Sequence, residues 1–230
     1  NNFATMSPLS TNNSSAGGLN LSLSDGNLTT ATDGTANQSA RGSFSVSSGK
    51  WYFETTFPNA TGNSSQASGV GVVATSIGGV DGSSGPGYAI IYRETGGALL
   101  GNGSSRSDPA AGTHPTYVAG DIIGVALDID NGDVEFFKNG VSAATYNFPA
   151  HAVSGTNWTI ESLMRQTSSV VVHNFGQNPT LSGRFAAGTN ADDSGKGLFK
   201  YQPPSGFLAL CEDNLPTPAI KDPGEHFKAM

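Results

Sequence analysis

The chain has 230 residues, of which 36% are hydrophobic, 13% are charged and 31 are glycine. This composition favours many short strands joined by turns, because it leaves few charged residues for the faces of surface helices. A net charge of −7 without a basic cluster argues against nucleic acid or an anionic membrane as a partner. No apolar run is long enough to span a bilayer, and the single Cys211 excludes an internal disulfide framework and a cysteine-rich zinc site.

The N-terminal residues 1–18 are small and polar, with Pro8 and a Gly-Gly pair, and they show no clear period. They predict an irregular arm whose Phe3, Met6 and Leu9 can pack onto a neighbour. The chain begins with Asn1 and shows no secretory signal, so we expect it to be processed or excised from something longer.

Short strands are predicted along most of the remaining chain. Alternating apolar and polar residues over 19–23 and 43–46 are typical of half-buried strands. Apolar or aromatic runs predict further strands at 49–57, 69–76, 88–92, 98–100, 158–164 and 169–175. We expect the last two to pair with each other. Strands at this spacing, without helices between them, predict a sandwich with antiparallel pairing.

The strongest local signal is a β-hairpin. The runs Ile122–Asp130 and Asp133–Lys138 flank Asn131-Gly132, a pair that favours a two-residue type I′ turn. A second pair, Asn139-Gly140, predicts another turn directly after it.

Four segments, in this order and spacing, resemble the SPRY family, whose fold is related to the concanavalin A-like jelly roll. They are GKWYFE at 49–54, GVGVVATS at 69–76, GDIIGVALDIDNGDVEFFKNG at 120–140 and HNFGQNP at 173–179. FKYQPPSGFLAL at 199–210 is similar to the family's closing segment, displaced by an insertion at 180–198. The resemblance implies an all-β, antiparallel two-sheet sandwich over 19–210. It also implies edge loops that bind partners, usually proteins, and no catalysis.

Residues 211–230 are predicted to be an extended connector, because three prolines keep them from forming a helix or strand. The segment CEDNLPTPAIKDPGEHF resembles the connector that follows SPRY-like domains in tailed-phage and other viral structural proteins. This resemblance implies that the protein is located in a virion.

A metal site is weighed and rejected at the hairpin. Asp128, Asp130, Asn131 and Asp133 cluster as calcium ligands do. An EF-hand loop needs glycine at its sixth position and a bidentate glutamate at its twelfth, whereas Gly132 is fifth and Asn139 is twelfth. The sequence therefore predicts no metal and no cofactor.

Enzymatic activity is also not expected. Glycanases with a related sandwich need two carboxylates roughly 5 Å apart across the scissile bond, but Glu54 stands alone among aromatic residues and Glu135 has only Asp133 at the required spacing. No Gly-x-Ser-x-Gly elbow presents a nucleophile, and the four histidines are scattered.

Candidate ligand-binding residues are aromatic side chains and one arginine beside the loops, since these types dominate interface energetics. They are Tyr88, Tyr92, Arg93, Tyr117 and Trp158. Trp158 opens a strand after a polar loop, where an indole serves either as part of the core or as a stacking platform for a partner.

The leading hypothesis is a non-catalytic recognition or assembly module of a virion protein, such as a tail fibre, decoration or adhesion protein. It would bind a protein or glycan on a host surface, or a neighbouring virion subunit, and an oligomer is compatible with this role. One alternative is a purely structural scaffold domain, and another is a glycan hydrolase of related fold.

Overall fold

The structure is a computed structural model that describes residues 2–13, 21–32, 38–62, 68–75, 88–102, 106–107, 113–148, 156–165 and 168–216. Within these ranges every element of regular secondary structure is a β-strand except one 3-10 turn, Glu212–Asn214. The strands are β1 (Met6–Asn13), β2 (Leu21–Ser24), β3 (Thr29–Thr32), β4 (Gln38–Gly42), β5 (Lys50–Thr56), β6 (Gly69–Ala74), β7 (Tyr88–Arg93), β8 (Ala98–Asn102), β9 (Arg106–Ser107), β10 (Ile122–Asp128), β11 (Asp133–Lys138), β12 (Val141–Asn147), β13 (Trp158–Met164), β14 (Val170–Asn174), β15 (Asn190–Ala191), β16 (Leu198–Phe199) and β17 (Leu208–Ala209). The predicted all-β class is confirmed.

Two large sheets form a sandwich. The first sheet has the order β1-β4-β13-β6-β7-β8-β9, and the second has β12-β11-β10-β5-β14-β3-β2. Both are antiparallel along these orders, while β17 adds to β5 in parallel and β15 pairs with β16 in a small separate sheet. The predicted antiparallel two-sheet sandwich is therefore also confirmed.

The main core lies between the two sheets, and β5 shows how the sequence divides its residues. Trp51 and Phe53 belong to the main core, whereas Tyr52 packs on the opposite side of the second sheet against Phe199. This alternation follows from the two-residue period of a strand. An aromatic run on one strand thus supplies large side chains to both faces of the second sheet.

Residues 176–201, which we call the strap, cover the outer face of the second sheet at β5, β10 and β14. Ile122 and Val172 pack there with Leu181, and Tyr201 contacts Gly140 so closely that a methyl group on that glycine would clash. The strap includes the whole of the predicted insertion. It turns what would be a solvated face of the second sheet into a second buried layer.

The two Asn-Gly pairs form different turns. Asp128 pairs with Asp133, so four residues connect β10 to β11, and of Asn131 and Gly132 only the glycine has a positive φ. The predicted two-residue type I′ turn is wrong at this hairpin, because the Asp128 carboxylate accepts the Asn131 backbone N–H at 3.0 Å and stabilises a longer loop.

The second pair has the conformation that was expected of the first. Asn139 and Gly140 have φ of 51° and 79° and join the paired residues Lys138 and Val141. Positive φ at both central residues is the requirement of a type I′ turn.

Three other predictions are wrong. Residues 6–13 form β1 instead of an irregular arm, because they pair with β4. Residues 43–46 form no strand, since β4 ends at Gly42 and Val46 makes only an isolated bridge to Trp158. Strands β13 and β14 lie in opposite sheets rather than pairing.

The end of the sandwich lies beyond residue 210. Cys211 is buried and forms an antiparallel bridge with Phe3, which places both ends of the described chain side by side. The predicted connector falls partly on residues 217–230, which lie outside the described residues.

Candidate recognition site

Two of the predicted ligand-binding tyrosines lie in the core. Tyr92 and Tyr117 are 0% and 1% exposed, and their rings pack 5.4 Å apart. The Tyr117 hydroxyl donates to the carbonyls of Ser68 and Tyr92 at 3.3 and 3.2 Å, and the Tyr92 hydroxyl donates to the Pro115 carbonyl. Both rings fill the space between the sheets, and their hydroxyls hold loop backbone.

Trp158 is also a core residue. It is fully buried and stacks on Phe148 with centroids 4.3 Å apart and an interplanar angle of 10°. Of the two interpretations left open by the sequence, the structure supports the one in which the indole is part of the core.

Tyr88 and Arg93 are half-buried and stand at opposite ends of β7. Tyr88 packs against the main core, and Arg93 is paired across the sheet with Gly69. The structure therefore does not join the five predicted residues into one surface.

A surface cavity of about 210 Å³ lies elsewhere, at the end of the first sheet where the chain leaves β4. Its lining combines a charged group, hydroxyls and one ring. The lining residues are Arg41, Gly42, Ser43, Phe44, Ser45, Thr75 and Thr159. Ser43, Ser45 and Thr75 are exposed and form its rim, whereas Thr159 is buried at its base. We call this cavity the β4 pocket.

The charged group of the β4 pocket belongs to an ion pair. Arg41 and Glu161 are cross-strand neighbours on β4 and β13, and Arg41 Nε lies 2.8 Å from Glu161 Oε2. The Glu161 side chain is fully buried and that of Arg41 is 12% exposed. Because a buried charge is retained only when it is paired, Glu161 fixes the arginine at the pocket and balances its charge.

The shape of the pocket depends on the chain leaving β4. The Thr159 hydroxyl donates to the Phe44 carbonyl at 2.8 Å, which holds the segment against β13. Gly42 leaves no room for a side chain, since a Cβ there would lie 2.8 Å from Ile160 Cγ1. The floor of the pocket is therefore rigid, while its rim is polar and open.

The acidic hairpin residues are engaged within the protein. Asp128 Oδ2 lies 2.8 Å from Lys50 Nζ, and Asp130 accepts the Gly49 backbone N–H at 2.8 Å. Burial raises the pKa of Asp128, but its hydrogen bonds from Lys50 and Asn131 outweigh that effect and hold the pKa below its usual value. No group of three or more possible metal ligands occurs among the described residues.

Glu54 is buried beneath the strap. Its two carboxylate oxygens accept the backbone N–H groups of Lys200 and Tyr201, both at 2.8 Å. Burial raises the pKa of Glu54, although these two hydrogen bonds act in the opposite direction. The carboxylate therefore anchors the strap and does not line a cleft.

His173 joins the two sheets across the core. Its Nδ1 lies 2.9 Å from Thr55 Oγ1, and its Nε2 lies 3.0 Å from Ser162 Oγ. Complete burial lowers the pKa of His173 to about 3, so the ring is neutral at ordinary pH. Although a serine and a histidine are adjacent here, the site is sealed inside the sandwich.

Sequence reasoning missed Arg41 and Glu161. A signal was present, because each is the only charged residue of its strand. Such charges are seldom buried unless paired. What the sequence did not show was the pairing of two residues separated by 120 positions.

No membrane-spanning candidate was found, since none of the helical structure in the described chain has the length and apolarity to cross a bilayer.

The fold is a two-sheet antiparallel sandwich with the strap packed on the second sheet. Residues 50–156 match the family model of the SPRY domain. The chain is similar in fold to the SPRY domain of human HERC1, with 15% identity over 73% of this chain and 96% of that one, at a TM-score of 0.55.

Two further solved structures are similar. The TRIM65 PSpry domain has 13% identity over 74% of this chain and 88% of its own, at a TM-score of 0.52. Stonustoxin has 14% identity over 74% of this chain and 27% of its own, also at 0.52. No curated protein matches the chain. These likenesses show a fold of the SPRY type, and the family-model match covers a little under half of the chain.

Proposed function

We propose that this protein is a non-catalytic recognition module that binds a protein segment in the β4 pocket. The observation that carries the proposal is the combination of a paired arginine, a polar rim and the half-buried Phe44 ring in one cavity of about 210 Å³. Recognition sites join a rigid scaffold to a few oriented polar groups and an apolar surface. The β4 pocket has these parts on the ends of packed strands.

The ion pair indicates which ligand groups are preferred. Glu161 balances the charge of Arg41 at 2.8 Å, so a carboxylate entering the pocket would meet a site that is close to neutral. Uncharged polar groups lose less hydration than carboxylates when they are buried. The guanidinium and the hydroxyls of Ser43 and Ser45 suit backbone carbonyls and amide side chains of a bound peptide.

The proposal is tested with peptides selected from a random displayed library against the immobilised protein. Thr75→Trp places a large side chain on the exposed rim without entering the core, and Thr145→Trp does the same on the exposed strand β12. We expect Thr75→Trp to weaken binding of the selected peptides by about tenfold or more, because steric exclusion removes most contacts of a small pocket.

Thr145→Trp is the matched control and should bind as the parent protein does. Thermal unfolding of both variants should stay within about 2 °C of the parent, since exposed substitutions rarely change stability much. Undiminished binding by Thr75→Trp would place the recognition surface elsewhere.

A narrower proposal concerns the setting of this module. We propose that it belongs to a virion protein, such as a tail fibre, decoration or adhesion protein, and that its partner is a host-surface molecule or a neighbouring virion subunit. Support comes from the resemblance of residues 211–227 to connectors in viral structural proteins. Mass spectrometry of purified particles carrying this gene tests the location, and a protein absent from those particles would refute it.

A further inference from the structure

Residues 2–6, here called the N-terminal strip, connect two distant parts of the sandwich. At one end the strip is hydrogen-bonded to the last described segment. The Asn2 carbonyl accepts the Glu212 N–H, and its side-chain amide donates to Glu212 Oε2, both at 2.8 Å. The Ala4 N–H donates to the Leu210 carbonyl at 2.8 Å. This end is therefore fixed to the chain that follows β17.

At its other end the strip holds the rim of the β4 pocket. The Thr5 N–H donates to Ser43 Oγ at 3.0 Å, and the Ser43 N–H donates to the Thr5 carbonyl at 2.7 Å. Met6 is then paired with Gly42 at the start of β1. The two reciprocal hydrogen bonds place Ser43 at the point where the chain leaves β4 and becomes the pocket wall.

The wall needs an external support. Strand β4 ends at Gly42, and the next backbone bridge is at Val46, whose N–H donates to the Trp158 carbonyl at 2.8 Å. Between them the Phe44 carbonyl accepts the Thr159 hydroxyl. The two hydrogen bonds between Thr5 and Ser43 therefore support the wall on the side opposite Thr159.

We infer that the N-terminal strip is the positioning element of the β4 pocket, with Thr5 as its positioning residue. This inference rests on the proposed function of the pocket, and it adds a means of regulation. Because coupling between two sites is reciprocal, a ligand in the pocket stabilises the docked strip. Conversely, anything that releases the strip loosens the pocket wall.

The test is amide hydrogen exchange, followed by NMR on the full chain without a ligand. Thr5→Pro removes the N–H that reaches Ser43 Oγ but keeps the carbonyl that accepts the Ser43 N–H. We expect the Ser43 amide to exchange about tenfold faster or more in this variant, while the Val125 amide in β10 keeps its rate, because the opening is local. Thr5→Ala keeps the backbone donor and should leave both rates unchanged.

A second pair of variants acts at the far end of the strip, in case Thr5→Pro fails to fold. Glu212→Ala removes the acceptor of the Asn2 side chain, whereas Glu212→Gln keeps an acceptor there. For Glu212→Ala we expect exchange at Ala4 and at Ser43 to rise together by about two- to threefold, as one cooperative unit would.

Two outcomes overturn the inference. Faster exchange at Ala4 with an unchanged Ser43 rate would show that the strip detaches without affecting the wall. An equal rise at Ser43 and Val125 would show a global loss of stability. Neither measurement involves a peptide. The hydrogen-exchange result can therefore be interpreted even if the peptide-binding experiment with Thr75→Trp fails.

Discussion

Three glutamates are completely buried among the described residues, and two of them, Glu54 and Glu161, lie on the outward-facing sides of different sheets. The sequence makes them look alike, since both are single acids within apolar strands. The structure satisfies them in opposite ways. Glu54 accepts backbone N–H groups from the strap that covers it, and Glu161 pairs with an arginine that lines a cavity.

The difference shows that burial alone does not mark a functional acid. When the partners of a carboxylate are backbone amides of a covering segment, the acid closes the structure over itself. When its partner is a cation at the surface, the acid fixes a group that a ligand can reach. The partner therefore distinguishes the two roles, and the following substitutions test that distinction.

The largest effect is expected from Arg41→Ala. This change removes the arginine that pairs with the buried Glu161 carboxylate, at a cost of about 3 to 5 kcal/mol of unfolding free energy. Denaturant unfolding measures the loss. In the double variant Arg41→Ala/Glu161→Ala a substantial part of the stability should return, and a double variant as unstable as the sum of the single ones would show that the two residues do not interact.

Glu54→Ala should cost about 2 to 4 kcal/mol, because it leaves the N–H groups of Lys200 and Tyr201 buried without an acceptor. Hydrogen exchange should accelerate at these two amides before it does so in β10. Glu54→Gln keeps one acceptor oxygen and should lose less. If the strap amides in Glu54→Ala exchange no faster than those of β10, the carboxylate is not the anchor of the strap.

The pH dependence of stability should separate Glu54 from Asp192. Burial raises the pKa of Glu54 above 4.5, so its stabilising contribution is full at low pH and is lost as the pH rises through the folded-state pKa. For Asp192 burial acts in the same direction, but hydrogen bonds from Ala209, Ser194, Gly197 and Lys196 lower its pKa below 3.8. Its contribution is present above pH 3.8 and is lost as the pH falls.

Unfolding free energies of the parent, Glu54→Gln and Asp192→Asn proteins, measured from about pH 3 to about pH 7, test this contrast. The parent's advantage over Glu54→Gln should shrink as the pH rises, and its advantage over Asp192→Asn should grow. Parallel slopes for the two variants would contradict the opposite pKa shifts.

The smallest effect is expected from Tyr52→Phe. The Tyr52 hydroxyl lies 3.4 Å from Glu54 Oε1, a long hydrogen bond beside two short ones from the strap. We expect a loss of about 1 kcal/mol or less in unfolding free energy, since the carboxylate keeps its stronger donors. A loss as large as that of Glu54→Ala would show that the tyrosine, and not the strap backbone, stabilises the acid.

The fold could be predicted because its signals are local. The aromatic run 49–57 identifies one strand, and the two runs that flank Asn131-Gly132 identify a hairpin, without reference to distant residues. Pairing was harder, since β13 and β14 are neighbours in sequence but lie in different sheets. Even the turn at Asn131-Gly132 depends on a side chain outside the pair, because the Asp128 carboxylate accepts the Asn131 backbone N–H and stabilises a longer loop.

The candidate site could not be predicted in the same way. The β4 pocket joins residues 41–45 with Thr75 and Thr159, which come from three separate strand ends. Tyr92, Tyr117 and Trp158 belong to residue types that are common at interfaces, but a sandwich also needs large aromatic residues in its interior. Composition does not separate these two uses, because the difference lies in which face of a strand is covered.

The parallel pairing of β17 with β5 has a consequence for the folding of the chain. The Glu54 carboxylate reaches amides 146 residues later in the sequence, and Asn2 reaches a residue 210 positions away. Contacts at such separation close large loops, and proteins rich in them fold slowly. On the ribosome, β5 must wait for the synthesis of residues 198–209 before its edge and the acid beside it are covered. We therefore expect a protein shortened before residue 208 to expose Tyr52 and Phe3 and to aggregate, a liability that would arise during synthesis and disappear only once β17 is made.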